Sequence, residues 1–226
     1  MGALHHADDD FSLDDCCTGW WTSKDPGFID PVRDCLDTFM RVLVEEPSSR
    51  NPHHLHGSFY ARLLASSGQS DLSLAEVGVD EGAFMEAMLQ ELAWLGVSVK
   101  KYYAIDPWTG RFAHLQQALE VAMRFDHVHL IQETGDTARR MVDDETMDFV
   151  FVDAVHTVPF VSLHLRGWWP KVRPGGIIAG HDFAREKPWR FPGPVAAAIT
   201  FAEEMGLSQS LLGLHGTTFA MQKPRV

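Results

Sequence analysis

The sequence has no apolar run near the roughly 18 residues that a membrane-crossing helix needs. Its first residues, MGALHHADDDFSLDDCC, hold neither the basic nor the apolar segment of a secretory signal, and His6 stands where a myristoylation signal wants Ser or Thr. A cytoplasmic location with no membrane partner is the expectation. Cysteine is scarce: three residues, with Cys16 and Cys17 adjacent and Cys35 apart, form neither an even disulfide framework nor a metal-ligand spacing. Reduced thiols follow. Basic residues are also short, 19 Lys and Arg against 31 Asp and Glu for a formal charge of −12. A nucleic-acid backbone would meet a field of its own sign, so a small-molecule partner is the better expectation. Internal repeats and low-complexity tracts are missing too, which argues against a solenoid or an array.

What is present fits one large α/β domain with an N-terminal addition, since 226 residues can bury a sizeable core. Residues 1–28 are acidic and aperiodic and read as a mobile extension. Residues 29–70 read as a helical cap. From Ile29 to Glu45 the residues Val32, Cys35, Leu36, Phe39, Met40 and Leu43 recur at helical spacing, ending before Pro47. His53, His54 and His56 read as loop residues, and a second helix spans Ser58 to Ala65, closed by Gly68.

Residues 71–226 alternate between strand-like and helix-like segments, the rhythm of a parallel sheet with helices on both faces. Strands are expected at Leu74–Val79, Tyr102–Ile105, His127–Ile131, Asp148–Asp153 and Gly176–Gly180. Helices are expected near Ala83–Leu95, Phe112–Phe125, Thr137–Val142, Pro159–Trp168 and Val195–Met205. Gln209–Leu214 and Thr217–Gln222, parted by His215-Gly216, read as a terminal antiparallel hairpin. The sum is a Rossmann-like α/β fold with a mostly parallel, seven-stranded sheet.

In AEVGVDEGAF an apolar strand runs through Gly78-Val79-Asp80-Glu81-Gly82 into a helix, where glycine lets backbone approach a ligand at a helix N-terminus. The spacing is G-x-x-x-G, and Asp80 and Glu81 would repel a dinucleotide pyrophosphate. S-adenosylmethionine carries a sulfonium and an ammonium and no phosphate, so it tolerates such a loop. A tight turn with no ligand is the plain alternative. Asp106 ends the next strand, 24 positions after Gly82, near the spacing of a carboxylate that accepts ribose hydroxyls. Trp108 can lie on an adenine face or simply pack. Asp136 or Thr137 can meet the adenine edge or cap the helix they open.

DFVFVDAVH places Asp153 at a strand end and His156 three residues later, and the following strand ends in Gly180, His181 and Asp182. Ligands collect at such ends. Two carboxylates and an imidazole suit an open divalent-metal site, with His156 able to remove a substrate proton. The alternative is that Asp153 hydrogen-bonds the cofactor and the histidines cap strand ends.

With these residues in view, the stretch from roughly Ser58 to Pro224 resembles the class I S-adenosylmethionine-dependent methyltransferases, in particular the small-molecule, sugar and macrolide-glycoside O-methyltransferases and the cephalosporin-pathway group. AEVGVDEGAF is similar to the glycine motif, YYAIDPW to the segment ending in the ribose-binding acid, FVFVDAVHTVPF to the methyl-transfer motif, WPKVRPGGIIAGHD to a later motif and GTTFAMQKP to the last strand. The resemblance implies a cofactor site on Glu76, Gly78, Gly82, Asp106, Trp108, Asp136, Thr137 and Asp153. It implies Mg²⁺ or another divalent metal on Asp153, His181 and Asp182, and catalysis by Asp153 and His156, the latter as general base. At His181 the metal-dependent relatives usually carry an acid.

The function expected is O-methylation of a hydroxyl on a small molecule, accelerated mainly by alignment of nucleophile and methyl group. A metal-independent methyltransferase acting on nitrogen or carbon is the second reading, and an inactive cofactor-binding partner subunit the third. A dehydrogenase fits the glycine loop poorly. A homodimer is a possible assembly.

Overall fold

The structure, a computed structural model, describes residues 52–183, 192–208, 211–214 and 217–225. The extension over residues 1–28 and the helix expected from Ile29 to Glu45 lie outside the described residues.

The alternating segments form helices α1 (Pro52–Ser66), α2 (Ala83–Trp94), α3 (Phe112–Ala122), α4 (Gly135–Ala138), α5 (Val158–Trp168) and α6 (Pro192–Glu204). The strands are β1 (Leu72–Val77), β2 (Val99–Ile105), β3 (Val128–Ile131), β4 (Met147–Val152), β5 (Val172–Gly180), β6 (Leu212–Leu214) and β7 (Thr218–Gln222). They make one seven-stranded sheet in the order β3-β2-β1-β4-β5-β7-β6. The first five pair in parallel, and β7 is antiparallel to both β5 and β6, so it alone opposes the common direction. Parallel pairing needs crossovers, and these carry the helices to both faces.

Side-chain alternation along each strand divides the core in two. Leu72, Leu74, Tyr102, Phe149 and Phe151 pack with Phe59, Tyr60, Phe84 and Met88 of α1 and α2. Ala75, Val77, Ile105, Val150 and Val152 pack on the other face with Leu165, Trp168 and Phe201 of α5 and α6. Phe84 and Phe151 stack with centroids 4.0 Å apart. Truncating so buried a ring to Ala costs about 3–5 kcal/mol.

Several elements depart from expectation. The histidine-rich stretch is not a loop: Pro52, whose fixed φ suits a first helical turn, starts α1, and that helix runs through His53, His54 and His56. β5 begins at Val172 rather than Gly176, because the turn-like Arg173-Pro174-Gly175 is absorbed where the register against β4 shifts between Met147 and Phe149. β2 begins at Val99 rather than Tyr102, and α3 stops at Ala122 rather than Phe125. The helix expected over Thr137–Val142 is one α-turn followed by a 3₁₀ turn, Arg139–Met141. Among the described residues no helix is long and apolar enough to cross a membrane.

Candidate active site

The carboxyl ends of β1, β2 and β4 are tied to one another by backbone. Gly78 N donates to Ile105 O at 2.8 Å, and Asp153 N donates to Val77 O at 2.8 Å. Gly78 has φ +95°, and a Cβ there would stand 1.9 Å from the Asp153 carbonyl oxygen. Glycine is therefore required where the chain leaves β1 and crosses the end of β4. Gly82, at φ +87°, caps α2.

Asp106 closes this cradle from β2. Its Oδ2 accepts from Val79 N at 3.1 Å and Asp80 N at 3.2 Å, and its Oδ1 accepts from Trp108 N at 2.8 Å. A carboxylate has about four acceptor positions, so Asp106 organises the glycine turn and keeps one position for a further hydroxyl. Trp108 is not an open platform: it is 3% exposed, and its indole N–H donates to Asp80 O at 2.7 Å. Asp80 turns outward, where its Oδ1 meets Arg111 Nη1 at 2.9 Å and His114 Nδ1 at 2.6 Å, so its charge is compensated away from the cradle.

Glu76 lies beneath the turn, 2% exposed, accepting from Tyr102 Oη at 2.6 Å. Burial pushes its pKa well above the usual range, against the Tyr102 hydrogen bond and with the charges of Asp153 and Asp106. On the β3 side, Thr134 rather than Asp136 or Thr137 caps α4, accepting from Thr137 N at 3.3 Å. Asp136 faces Arg139, with Nη2 at 2.7 Å, and the Arg139 hydrogen bond lowers its pKa.

The ends of β4 and β5 bring four polar side chains together. His156 Nε2 is 3.4 Å from Asp153 Oδ1 and 3.0 Å from Asp182 Oδ2. His181 Nδ1 is 3.6 Å from Asp153 Oδ2 and 3.3 Å from Asp182 Oδ1. Asp153, His181 and Asp182 each offer a ligand atom, all within 4.8 Å of one another. The chemistry of the donor set fits a divalent cation: two carboxylates and one imidazole stand together at adjacent strand ends. Asp182, at φ +56° and 4% exposed, is held in a conformation uncommon for a side-chain-bearing residue, as functional sites often require.

Charge is strongly coupled here. Hydrogen bonds that His156 donates to the Asp153 and Asp182 carboxylates raise its pKa to about 10 against partial burial. Burial works against the His181 proton, but the Asp182 hydrogen bond and the charges of both carboxylates raise its pKa. Burial also opposes ionisation of Asp182, yet the two histidines hold it below the usual carboxylate range.

Three contributors escape sequence reading. Thr217, next to β7, has its Oγ1 3.1 Å from His181 Nε2. His56 of α1 sets its ring 4.9 Å from the His181 ring, centroid to centroid. Gly193 lets α6 abut the segment bearing His156, since a Cβ there would stand 2.2 Å from His156 O. Helical placement of the histidine-rich stretch was the available signal for His56; the other two depend on long-range packing.

Residues 75–183 match a family model described as a methyltransferase domain. Among solved structures, the O-methyltransferase from Bacillus cereus in complex with SAH is similar, with TM-score 0.57 at 17% identity over 93% of this chain and 95% of that one. A protein from Corynebacterium glutamicum has TM-score 0.58 at 16% identity over 87% and 91% of the two chains. The N-methyltransferase NodS from Bradyrhizobium japonicum WM9 has TM-score 0.54 at 15% identity, over 77% of this chain and 98% of its own. At such identities the likeness is one of fold. No curated protein matches this chain.

Proposed function

We propose that this chain is a class I S-adenosylmethionine-dependent methyltransferase and that it methylates a hydroxyl on a small molecule with His156 as general base and a divalent cation at Asp153, His181 and Asp182. The observation that carries this reading is the convergence of those four side chains at the ends of β4 and β5, beside the Gly78 turn.

The Gly78 turn, packed so closely on the Asp153 backbone that no side chain fits there, would form the backbone wall against which the methyl donor lies. Gly78 and Gly82 would admit the donor, while Asp106, with one acceptor position left, would take a ribose hydroxyl. Asp136 and Thr137, at the start of α4, would meet the adenine edge. Glu76 supports the cradle from below, and Trp108 walls it. Bound there, S-adenosylmethionine supplies a methyl group on a sulfonium sulfur, which leaves as a neutral thioether when the acceptor oxygen attacks.

His156 takes the acceptor proton, so it must be neutral when the hydroxyl arrives. Asp153, His181 and Asp182 would hold the divalent ion, which would supply acidification of the acceptor hydroxyl and a positive charge offsetting the carboxylate field that holds the His156 proton. Asp153 therefore serves both sides, its backbone closing the cradle and its carboxylate facing the acceptor.

One observation favours a second reading. His156 Nε2 lies 3.4 and 3.0 Å from the Asp153 and Asp182 carboxylates, which hold its proton above the ordinary imidazole range when no cation compensates them, so it would donate a hydrogen bond and orient an acceptor. That state suits a metal-independent transfer to nitrogen or carbon. Labelled methyl transfer from S-adenosylmethionine to matched hydroxyl- and amine-bearing small molecules separates the readings. The O-methyl product, lost in chelator, is expected; label on nitrogen or carbon with chelator present would replace the first reading by the second.

A further inference from the structure

We infer that the cation site selects a borderline transition-metal dication over Mg²⁺, because its nitrogen ligand, His181 Nδ1, is aimed by Thr217. The inference rests on the metal reading proposed above.

Thr217 is held against the end of β5 at two points. Its carbonyl accepts from Phe183 N at 2.9 Å, and its Oγ1 lies 3.1 Å from His181 Nε2. His181 is itself tied to β4 by its backbone N–H, which donates to Val152 O at 3.1 Å, and the His56 ring packs beside its imidazole. With Nε2–H donated to the Thr217 hydroxyl, loss of the Nδ1 proton gives up the Asp182 hydrogen bond and turns the Nδ1 lone pair toward an ion held between the carboxylates. A ligating histidine usually has its other ring nitrogen engaged in this way.

Nδ1 lies 3.6 and 3.3 Å from the facing oxygens of Asp153 and Asp182. Bonds of about 2.1 Å to a shared ion imply ligand–ligand edges of roughly 3.0–3.4 Å, which the Asp182 contact meets and the Asp153 contact slightly exceeds. Mg²⁺ favours oxygen ligands in a near-ideal octahedron, whereas imidazole suits Zn²⁺, Fe²⁺, Co²⁺ and Ni²⁺. A nitrogen donor beside two carboxylates therefore costs Mg²⁺ more than it costs those ions. Thr217 acts through His181 and is a positioning residue.

The full chain, stripped with chelator, is titrated calorimetrically with Co²⁺ alone and with Mg²⁺ alone, and the visible absorption of bound Co²⁺ is recorded. Co²⁺ should bind the more tightly. His181→Asp should shrink the Co²⁺-to-Mg²⁺ affinity ratio by roughly tenfold or more and shift the Co²⁺ bands, with His181→Gln moving both in the same direction. Thr217→Val should weaken Co²⁺ by about 10- to 100-fold, and Thr217→Ser should restore it. Unchanged calorimetric binding of S-adenosylhomocysteine marks each variant as folded. A ratio unmoved by both His181 variants, in protein whose methyl transfer Mg²⁺ supports, overturns this inference and leaves the functional reading standing. Co²⁺ affinity unmoved by Thr217→Val overturns the positioning role. If neither ion binds and methyl transfer survives chelation, the metal part of the functional reading fails, and this inference with it.

Discussion

His156 Nε2 lies 3.0 Å from Asp182 Oδ2, so the segment after β4 is held by the segment after β5. The pair has a consequence for stability in chelator. The folded pKa of His156, about 10, exceeds its ordinary 6.5. The stabilisation is therefore complete below about pH 6.5 and is lost as pH rises through about 10. His181 contributes with the same sign. In chelator, Tm should fall between pH 7 and pH 10, and His156→Ala should flatten that slope. His156 is half-exposed, so the change is modest. Equal slopes in the two proteins would show that the pair is not coupled in solution.

Two glycines with similar backbone and different surroundings give a matched comparison. Gly78 has φ +95° with Asp153 O where a Cβ would go, while Gly68 has φ +69° with nothing within 4 Å. Gly68→Ala should cost about 1 kcal/mol, the backbone strain alone. Gly78→Ala must also push β1 and β4 apart, so its Tm loss should be several times larger. Comparable Tm values would mean that the cradle relaxes freely.

Asp106→Ala removes the acceptor of the Val79, Asp80 and Trp108 backbone N–H groups together. Thermal unfolding should show a loss of about 1–3 kcal/mol or more, and calorimetry a cofactor affinity lower by roughly tenfold or more. Asp106→Asn, which keeps one carbonyl oxygen, should fall between. Unchanged cofactor binding in Asp106→Ala would remove this residue from the site.

The apolar interiors of β1 and β4 and the polar residues at their ends were legible because a buried parallel strand needs the first and a strand-end site collects the second. Asp153, His156, His181 and Asp182 were readable as a group for that reason. The hydrogen bonding of Asp106 to the glycine turn and the burial of Trp108 were not, since they depend on the positive φ of Asp80 and Trp108, 52° and 43°, which turns backbone N–H groups and an indole inward. Thr217 was beyond reach: only the antiparallel return of β7 against β5 brings it to His181. The histidine-rich stretch misled because its polar composition resembles a loop, while α1 gains its stability from Phe59, Tyr60, Leu63 and Leu64 farther along.

The central claim meets its most direct test in methyl transfer per folded molecule, measured for wild type, His156→Ala and Asp182→Ala, each in chelator and after a divalent ion is restored. Wild type should be inactive in chelator and recover with the ion, while Asp182→Ala should stay inactive in both. His156→Ala should lose about 10²- to 10⁴-fold in kcat with cofactor affinity almost unchanged. Full activity of both variants, with or without chelator, would contradict the account and leave the four side chains with a capping role only.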